Sequence, residues 1–137
     1  MEFYINDKDE DSIEIISLFK KLEGKEKCNS CGKELIQKRT LISLPEYLII
    51  VVNKNTNKKI TTCLQRTIDI KQFCSNIQDE KVEFELVSFT NEVFHPIIKS
   101  KKDEWIKNSK KLKNVSEKRT LPNLLIYKLI KGKSKQK

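Results

Sequence analysis

The sequence predicts an α+β chain, mostly antiparallel sheet with one N-terminal helix. Three observations predict it. An unbroken aliphatic run, Tyr47-Leu48-Ile49-Ile50-Val51-Val52, follows Leu44-Pro45-Glu46 and ends at Asn53-Lys54-Asn55. Residues Val82, Phe84, Leu86 and Ser88 alternate with Glu83, Glu85 and Val87. Ile13, Ile16, Phe19 and Leu22 fall at helical spacing behind an acidic start.

Taken in order, Glu2 to Ile5 suits a short strand. Asp9-Glu10-Asp11-Ser12 supplies an N-cap and an acidic first turn, Lys20-Lys21 close the helix, and Gly24 is its C-cap. Lys25 to Gly32 reads as a polar loop. Glu34 to Ser43 alternates loosely and suits a strand. Tyr47 to Val52, apolar at every position, reads as a strand buried on both faces. A loop follows at Asn53–Lys59, then a strand from Ile60 to Leu64 and a short turn or helical segment at Ile68–Phe73. The period-two stretch 82–88 is a strand with one buried face. Pro96–Lys99 and Glu104–Ile106 flank a polar tip, as a hairpin does. Leu124–Ile130 is a last apolar strand. The total is one helix and six or seven strands.

The chain has 137 residues, room for one domain, which we place at 1–130 with a basic disordered tail at 131–137. Charged residues make up 34% and apolar residues 37%, so a modest core carries a charge-dense surface. Net charge is +9, from 25 Lys and only Arg39, Arg66 and Arg119. The shortage of Arg speaks against sequence-specific nucleic-acid reading, which relies on bidentate guanidinium contacts. The Lys-rich surface and tail still suit contact with RNA or a ribonucleoprotein. Nothing at Met1-Glu2-Phe3 resembles a signal peptide, and no apolar run is long enough for a membrane span. The expected location is cytoplasmic or nuclear, with reduced thiols.

Cys28-Asn29-Ser30-Cys31 has the spacing of half a zinc site. Three readings stay open. The pair shares zinc with another chain, binds it with Cys63 or Cys74, or is a relic. Cys63 and Cys74 lie in or beside apolar segments and read as small core residues. A redox role for Cys28 and Cys31 is disfavoured, because no helix start follows Cys31.

An ordered set of motifs resembles the second half of the ubiquitin-specific protease catalytic domain. The set is Ile16-Ser17-Leu18-Phe19, Cys28-Asn29-Ser30-Cys31, Lys38-Arg39, Leu44 to Ile50 and Ile68 to Phe73. It continues with Phe84-Glu85-Leu86-Val87, His95, Ile97-Ile98-Lys99-Ser100, Trp105 and Leu124 to Tyr127. The resemblance implies a papain-like palm and part of the fingers, without the thumb. It implies ubiquitin or another protein chain as partner.

The departures from the family bear on catalysis. The family's nucleophile lies in an Asn-x-Cys box near the domain's start, a point this chain begins after, and none of its four Cys is read as occupying that box. Counted back from Ile98-Lys99-Ser100, the family's general base falls near Val93. The only His is His95, preceded by Phe94 instead of Gly and followed by Pro96 instead of Tyr. The orienting residue falls at Ser109 or Lys110, neither acidic, with Asn108 the nearest side chain able to orient an imidazole. His95 and Asn108 are thus the candidates for base and orienter. The expected function is a catalytically inactive ubiquitin- or protein-binding module, possible zinc included, in a family that has such members within ribonucleoproteins. The alternatives are half of a cysteine-type deubiquitinase and a basic RNA- or ribosome-associated protein. The loss of the thumb implies an apolar strand face left open for a partner.

Overall fold

The computed structural model describes residues 1–38, 40–75, 77–91, 97–100, 104–107, 110–112 and 118–132. Strand β1 (Glu2–Ile5) buries Phe3 and Ile5 and turns Glu2 and Tyr4 outward. The helix is much shorter than its spacing predicts. Helix α1 (Ile15–Leu18) has four residues and tightens at once into a 3-10 turn, Phe19–Leu22. Ser12 does not cap it. Ser12 bridges Thr61 in parallel, Glu14 takes the N-cap position, and no side chain caps the helix. The apolar spacing is still honoured, because Ile15, Leu18 and Phe19 are fully buried.

Gly24 caps nothing. It lies within β2 (Glu23–Lys27), which pairs antiparallel with β3 (Glu34–Lys38) from Glu23↔Lys38 to Lys27↔Glu34. The expected polar loop is therefore half strand, and the Cys pair closes a hairpin. At its base, the Leu41 amide donates to the Phe73 carbonyl (2.9 Å) and the Ser75 amide to the Leu41 carbonyl (2.8 Å).

Pro45 precedes β4 (Tyr47–Lys54). Its burial alternates, contrary to the two-faced reading. Leu48, Ile50 and Val52 are buried, while Tyr47 and Ile49 are 48% and 49% exposed. A continuous aliphatic run thus supplies a core face and an open apolar face. Strands β5 (Thr61–Cys63) and β6 (Thr67–Asp69) follow, then a 3-10 turn at Lys71–Phe73. Asp69 holds this corner. Its Oδ1 accepts from the amides of Lys71 (3.0 Å) and Val82 (3.1 Å).

Strand β7 (Glu83–Thr90) buries Phe84 and Leu86 as its alternation predicts, then changes phase. Val87 has no partner across the ladder, where Tyr127 opposes Leu86 and Ile126 opposes Ser88. This β-bulge turns Phe89 into the core and leaves Ser88 facing outward, against the expectation for Ser88. Strands β8 (Ile97–Lys99) and β9 (Trp105–Lys107) form the expected hairpin, with Lys99↔Trp105 in register. Strand β10 (Lys110–Leu112) pairs with β9, and β11 (Lys118–Thr120) pairs with β5. The last strand, β12 (Leu124–Lys131), carries the sequence's first tail residue, Lys131. Gly132 has φ +133 and packs by Leu44 and Val82, where an added Cβ would come within 3.2 Å of Leu44.

The main sheet runs β1-β4-β12-β7-β8-β9-β10, with β6 also on β7. Only β1 against β4 is parallel in it. One face packs on α1, the 3-10 turn and the segment from Ile60 to Ile70, with Phe19 edge-on to Phe3 at 5.4 Å. Among the described residues the strands number twelve, more than the six or seven expected, because short pairings such as β2/β3 and β5/β11 leave little apolar pattern.

The loop 6–11 is gathered around a lysine. Lys58 Nζ donates to the carbonyls of Asp7 (2.9 Å) and Asp9 (2.5 Å) and lies 3.5 Å from Asp11 Oδ1. Burial raises the Asp9 carboxyl, but hydrogen bonds from Lys21 and the Asn6 amide outweigh it and hold the carboxyl below its usual range. Replacing Lys58 with Met should cost about 1 kcal/mol at this part-exposed site. It should also speed proteolysis between Asn6 and Asp11, read by limited digestion.

Among the described residues Tyr127 is the largest fully buried side chain, and its hydroxyl donates to the Gln65 carbonyl at 2.8 Å. Tyr127→Phe strands that buried acceptor and should lower stability by about 1–2 kcal/mol in urea. Burial also pushes the phenol's pKa up. A raised folded value means stability present below the unfolded value of about 10 and lost as pH rises beyond it. The gap between wild type and Tyr127→Phe should therefore narrow above about pH 10.

Candidate functional site

The outer face of the main sheet carries a row of four isoleucines with Ser88 at its middle. Ile49 opposes Ile126, Ile126 opposes Ser88, Ser88 opposes Ile98, and Ile98 opposes Ile106. Residues directly opposed across strands share a face. The row therefore crosses five strands, roughly 20 Å at the usual strand spacing. Ile49 and Ile98 are about half exposed, and Ile126, Ser88 and Ile106 are half-buried. The neighbouring rung is Tyr47, Lys128 and Glu85, with the Lys128 ammonium 5.9 Å from the Tyr47 ring centre. Glu85 also pairs with Lys99. An apolar strip with a charged border is the anatomy of a protein-binding patch.

The structure keeps Cys63 and Cys74 apart from the Cys28/Cys31 pair. Cys28 and Cys31 lie at the tip of the β2/β3 hairpin. The Cys28 amide donates to the Lys33 carbonyl (2.8 Å), and the Gly32 amide to the Cys28 carbonyl (2.9 Å). Gly32 takes φ +71, the left-handed conformation that closes such a turn at little cost only for glycine. The amides of Cys31 and Ser30 face the Cys28 sulfur, and the Cys31 thiol joins them. Together they pull the Cys28 thiol below its ordinary pKa. Asn29-Ser30-Cys31 does have the Asn-x-Cys spacing, contrary to the sequence reading. It sits in this turn, with strand β3 rather than a helix after it.

Cys63 is exposed, not a core residue. It lines an open cleft of about 530 Å³ with Asp9, Glu14, Ser17 and Lys21. Cys74 is half-buried, its thiol donates to the Ile70 carbonyl (3.3 Å), and burial raises its pKa. The two candidates for base and orienter, His95 and Asn108, lie outside the described residues. Among the described residues no three His, Cys, Asp or Glu side chains cluster as a metal site. No helix among them is long and apolar enough to cross a membrane.

In fold the chain is similar to chains of the SAGA DUB module. One, from the yeast module with an Sgf73 point mutant, aligns at TM-score 0.63 and 15% identity, covering 96% of this chain and 35% of that one. A second, from the Ubp8/Sgf11/Sus1/Sgf73 module bound to ubiquitin aldehyde, aligns at 0.57 and 16%, covering 96% and 36%. A third, from the Ubp8/Sgf11/Sus1/Sgf73 module, aligns at 0.59 and 14%, covering 96% and 33%. The chain thus spans about a third of the chains it matches. The likeness is one of fold: mixed α+β, mostly strands with one short helix. No protein-family model matches the sequence, and no curated protein matches it.

The open apolar face of the 47–52 strand matches the expectation from the sequence, whereas its continuation to Ile126, Ile98 and Ile106 is what pattern reading missed. Its signal was present, since Ile49, Ile98, Ile106 and Ile126 each sit at an outward position of a strand, but only the register aligns them. For the turn, the pH profile of Cys28 alkylation in metal-free, reduced protein should have its midpoint below the ordinary thiol value of about 8.5. Peptide mapping by mass spectrometry reads it.

Proposed function

We propose that this chain is a catalytically inactive ubiquitin-specific-protease-like module that binds ubiquitin through the open face of its main sheet. The carrying observation is the isoleucine row from Ile49 to Ile106, an apolar strip on a fold similar to that of a module solved with ubiquitin aldehyde. A half-exposed β-branched row of this length is costly to leave in water, and a protein surface with its own apolar patch covers it.

Inactivity rests on the chemistry. A thiol nucleophile needs an imidazole held within hydrogen-bond reach. The one His of the chain stands between Phe94 and Pro96. Of the thiols, two close a hairpin, one donates to a backbone carbonyl and one lines an acidic cleft. The net charge of +9 makes a ribonucleoprotein setting part of the same reading, with salt-sensitive RNA binding as its sign.

Titration of labelled ubiquitin with the chain, followed by NMR, should shift resonances. Ile49→Glu should weaken binding about tenfold or more, about 1.4 kcal/mol, with the far-UV circular dichroism unchanged. A ubiquitin C-terminal electrophilic probe should leave the intact mass unaltered. An adduct on any Cys makes the chain an enzyme. Unshifted ubiquitin removes ubiquitin as the partner, and unchanged affinity in Ile49→Glu moves the site off this face.

A further inference from the structure

We propose that strand β1 is a docking edge, on which an extended basic segment of a partner protein adds one further strand to the main sheet. Strand β1 ends the strand order, and among the described residues only β4 pairs with it. Its inner edge is filled. The Val51 amide donates to the Met1 carbonyl (2.8 Å) and the Asn55 amide to the Ile5 carbonyl (2.6 Å). In a parallel ladder, alternate residues aim their amide and carbonyl at the same neighbour. Met1, Phe3 and Ile5 therefore serve β4, and the amides and carbonyls of Glu2 and Tyr4 point the other way. The edge has a defined end, because the next outward residue is already paired. The Asn6 amide donates to Asp9 Oδ2 (2.8 Å), and its carbonyl accepts from the Asp9 amide (3.1 Å).

Beside this edge lies an open groove of about 400 Å³, lined by Glu2, Phe3, Tyr4, Lys21, Leu22 and Glu23. An added strand sits about 4.8 Å from its neighbour and takes its affinity from main-chain hydrogen bonds. Exposed edges are commonly blunted by a proline, a lysine or a bulge. Strand β1, Glu-Phe-Tyr-Ile, has no proline and no lysine, and its register with β4 runs without a shift.

The groove's chemistry selects the charge of the strand. Lys21 is engaged by Asp9 at 2.7 Å, which leaves Glu2 and Glu23 to make the groove net negative on a chain of net charge +9. The Tyr4 hydroxyl donates to Glu2 Oε2 at 2.9 Å, so a carboxylate and an exposed aromatic ring stand together. A lysine or arginine on the added strand meets both at once. Half-buried Leu22 forms the wall for an apolar side chain. This edge is separate from the isoleucine row, because Glu2 and Tyr4 stand opposite Val51 and Asn53 rather than Ile49. The proposal therefore does not depend on ubiquitin binding.

The probe is the capped peptide Lys-Val-Lys-Val-Lys, titrated into the full isotope-labelled chain and followed by NMR. We expect saturable shifts of the Glu2 and Tyr4 amides, with hydrogen exchange at Tyr4 slowed about tenfold or more in the complex. Glu-Val-Glu-Val-Glu should bind about tenfold more weakly or worse, and so should the Glu2→Lys chain meeting the basic peptide. Tyr4→Pro removes an outward amide without touching a bond to β4, and should abolish binding with the far-UV circular dichroism unchanged. The basic peptide N-methylated at every residue keeps its charge but has no strand donors, and should not bind the unaltered chain. Ile49→Glu should leave the peptide's affinity unchanged, and ubiquitin should not displace it. A Tyr4 amide already protected in the free chain overturns the proposal. So do equal binding of the acidic peptide, binding that survives Tyr4→Pro or full N-methylation, loss of binding in Ile49→Glu, displacement by ubiquitin, and no shift at Tyr4 with millimolar peptide.

Discussion

Strand β12 runs between β4 and β7, which do not pair with each other. The middle of the main sheet is therefore built from the end of the described chain. Tyr127 sits at the centre of that strand, and its hydroxyl bonds the Gln65 carbonyl. The Gln65 side chain in turn accepts from the Ile16 amide at 3.0 Å, at the start of α1. One residue thus ties the sheet's central strand to the element that covers its core face. The same strand sets the bulge at Val87, because Ile126 and Tyr127 fix Ser88 and Leu86 with one residue between them. Everything outward of β7 takes its facing from that bulge, including Ile98 and Ile106. Such a sheet has few local contacts at its centre, so loop closure over long stretches precedes most of its stabilisation.

The two faces of this sheet divide the labour. Inward residues of β4, β12 and β7 pack on Leu18, Phe19, Ile60 and Ile68, and they are almost fully buried. The outward residues of the same strands are as aliphatic in β4 and β12, yet no described element covers them. A polar outward face would have been the simpler solution for an antiparallel sheet open on one side. The sequence instead spends Ile49, Ile98, Ile106 and Ile126 there. Their alignment into one row follows from four separate registers, which is why the face reads as a surface rather than as scattered exposed residues.

Period and length made much of the fold legible. Leu124–Ile130, Tyr47–Val52 and the pair 97–99 with 105–107 emerge from apolar runs and their polar breaks, and each is a strand where the pattern puts one. The helix was over-read, because Ile13, Ile16 and Phe19 at helical spacing also suit a four-residue helix that tightens into a 3-10 turn. Asp9, Asp11 and Ser12 looked like a cap, but their loop is organised by Lys58, some fifty residues away, which no local pattern announces. The strand at 47–54 looked buried on both faces because hydrophobicity alone cannot separate a core face from an open one. The β2 strand, Glu-Gly-Lys-Glu-Lys, has no strand signature at all and is held by its partner β3. Of the candidate site, the Cys spacing was visible in sequence, whereas the turn that turns two amides onto one sulfur was not.

The β2/β3 hairpin is a sheet of its own, apart from the main sheet that carries the isoleucines. At the base of the hairpin, Leu41 lies between Phe73 and Ser75, held by two backbone hydrogen bonds. Phe73 packs on Phe19 at 5.5 Å, so that base is tied to the buried face of the sheet and not to the isoleucine row.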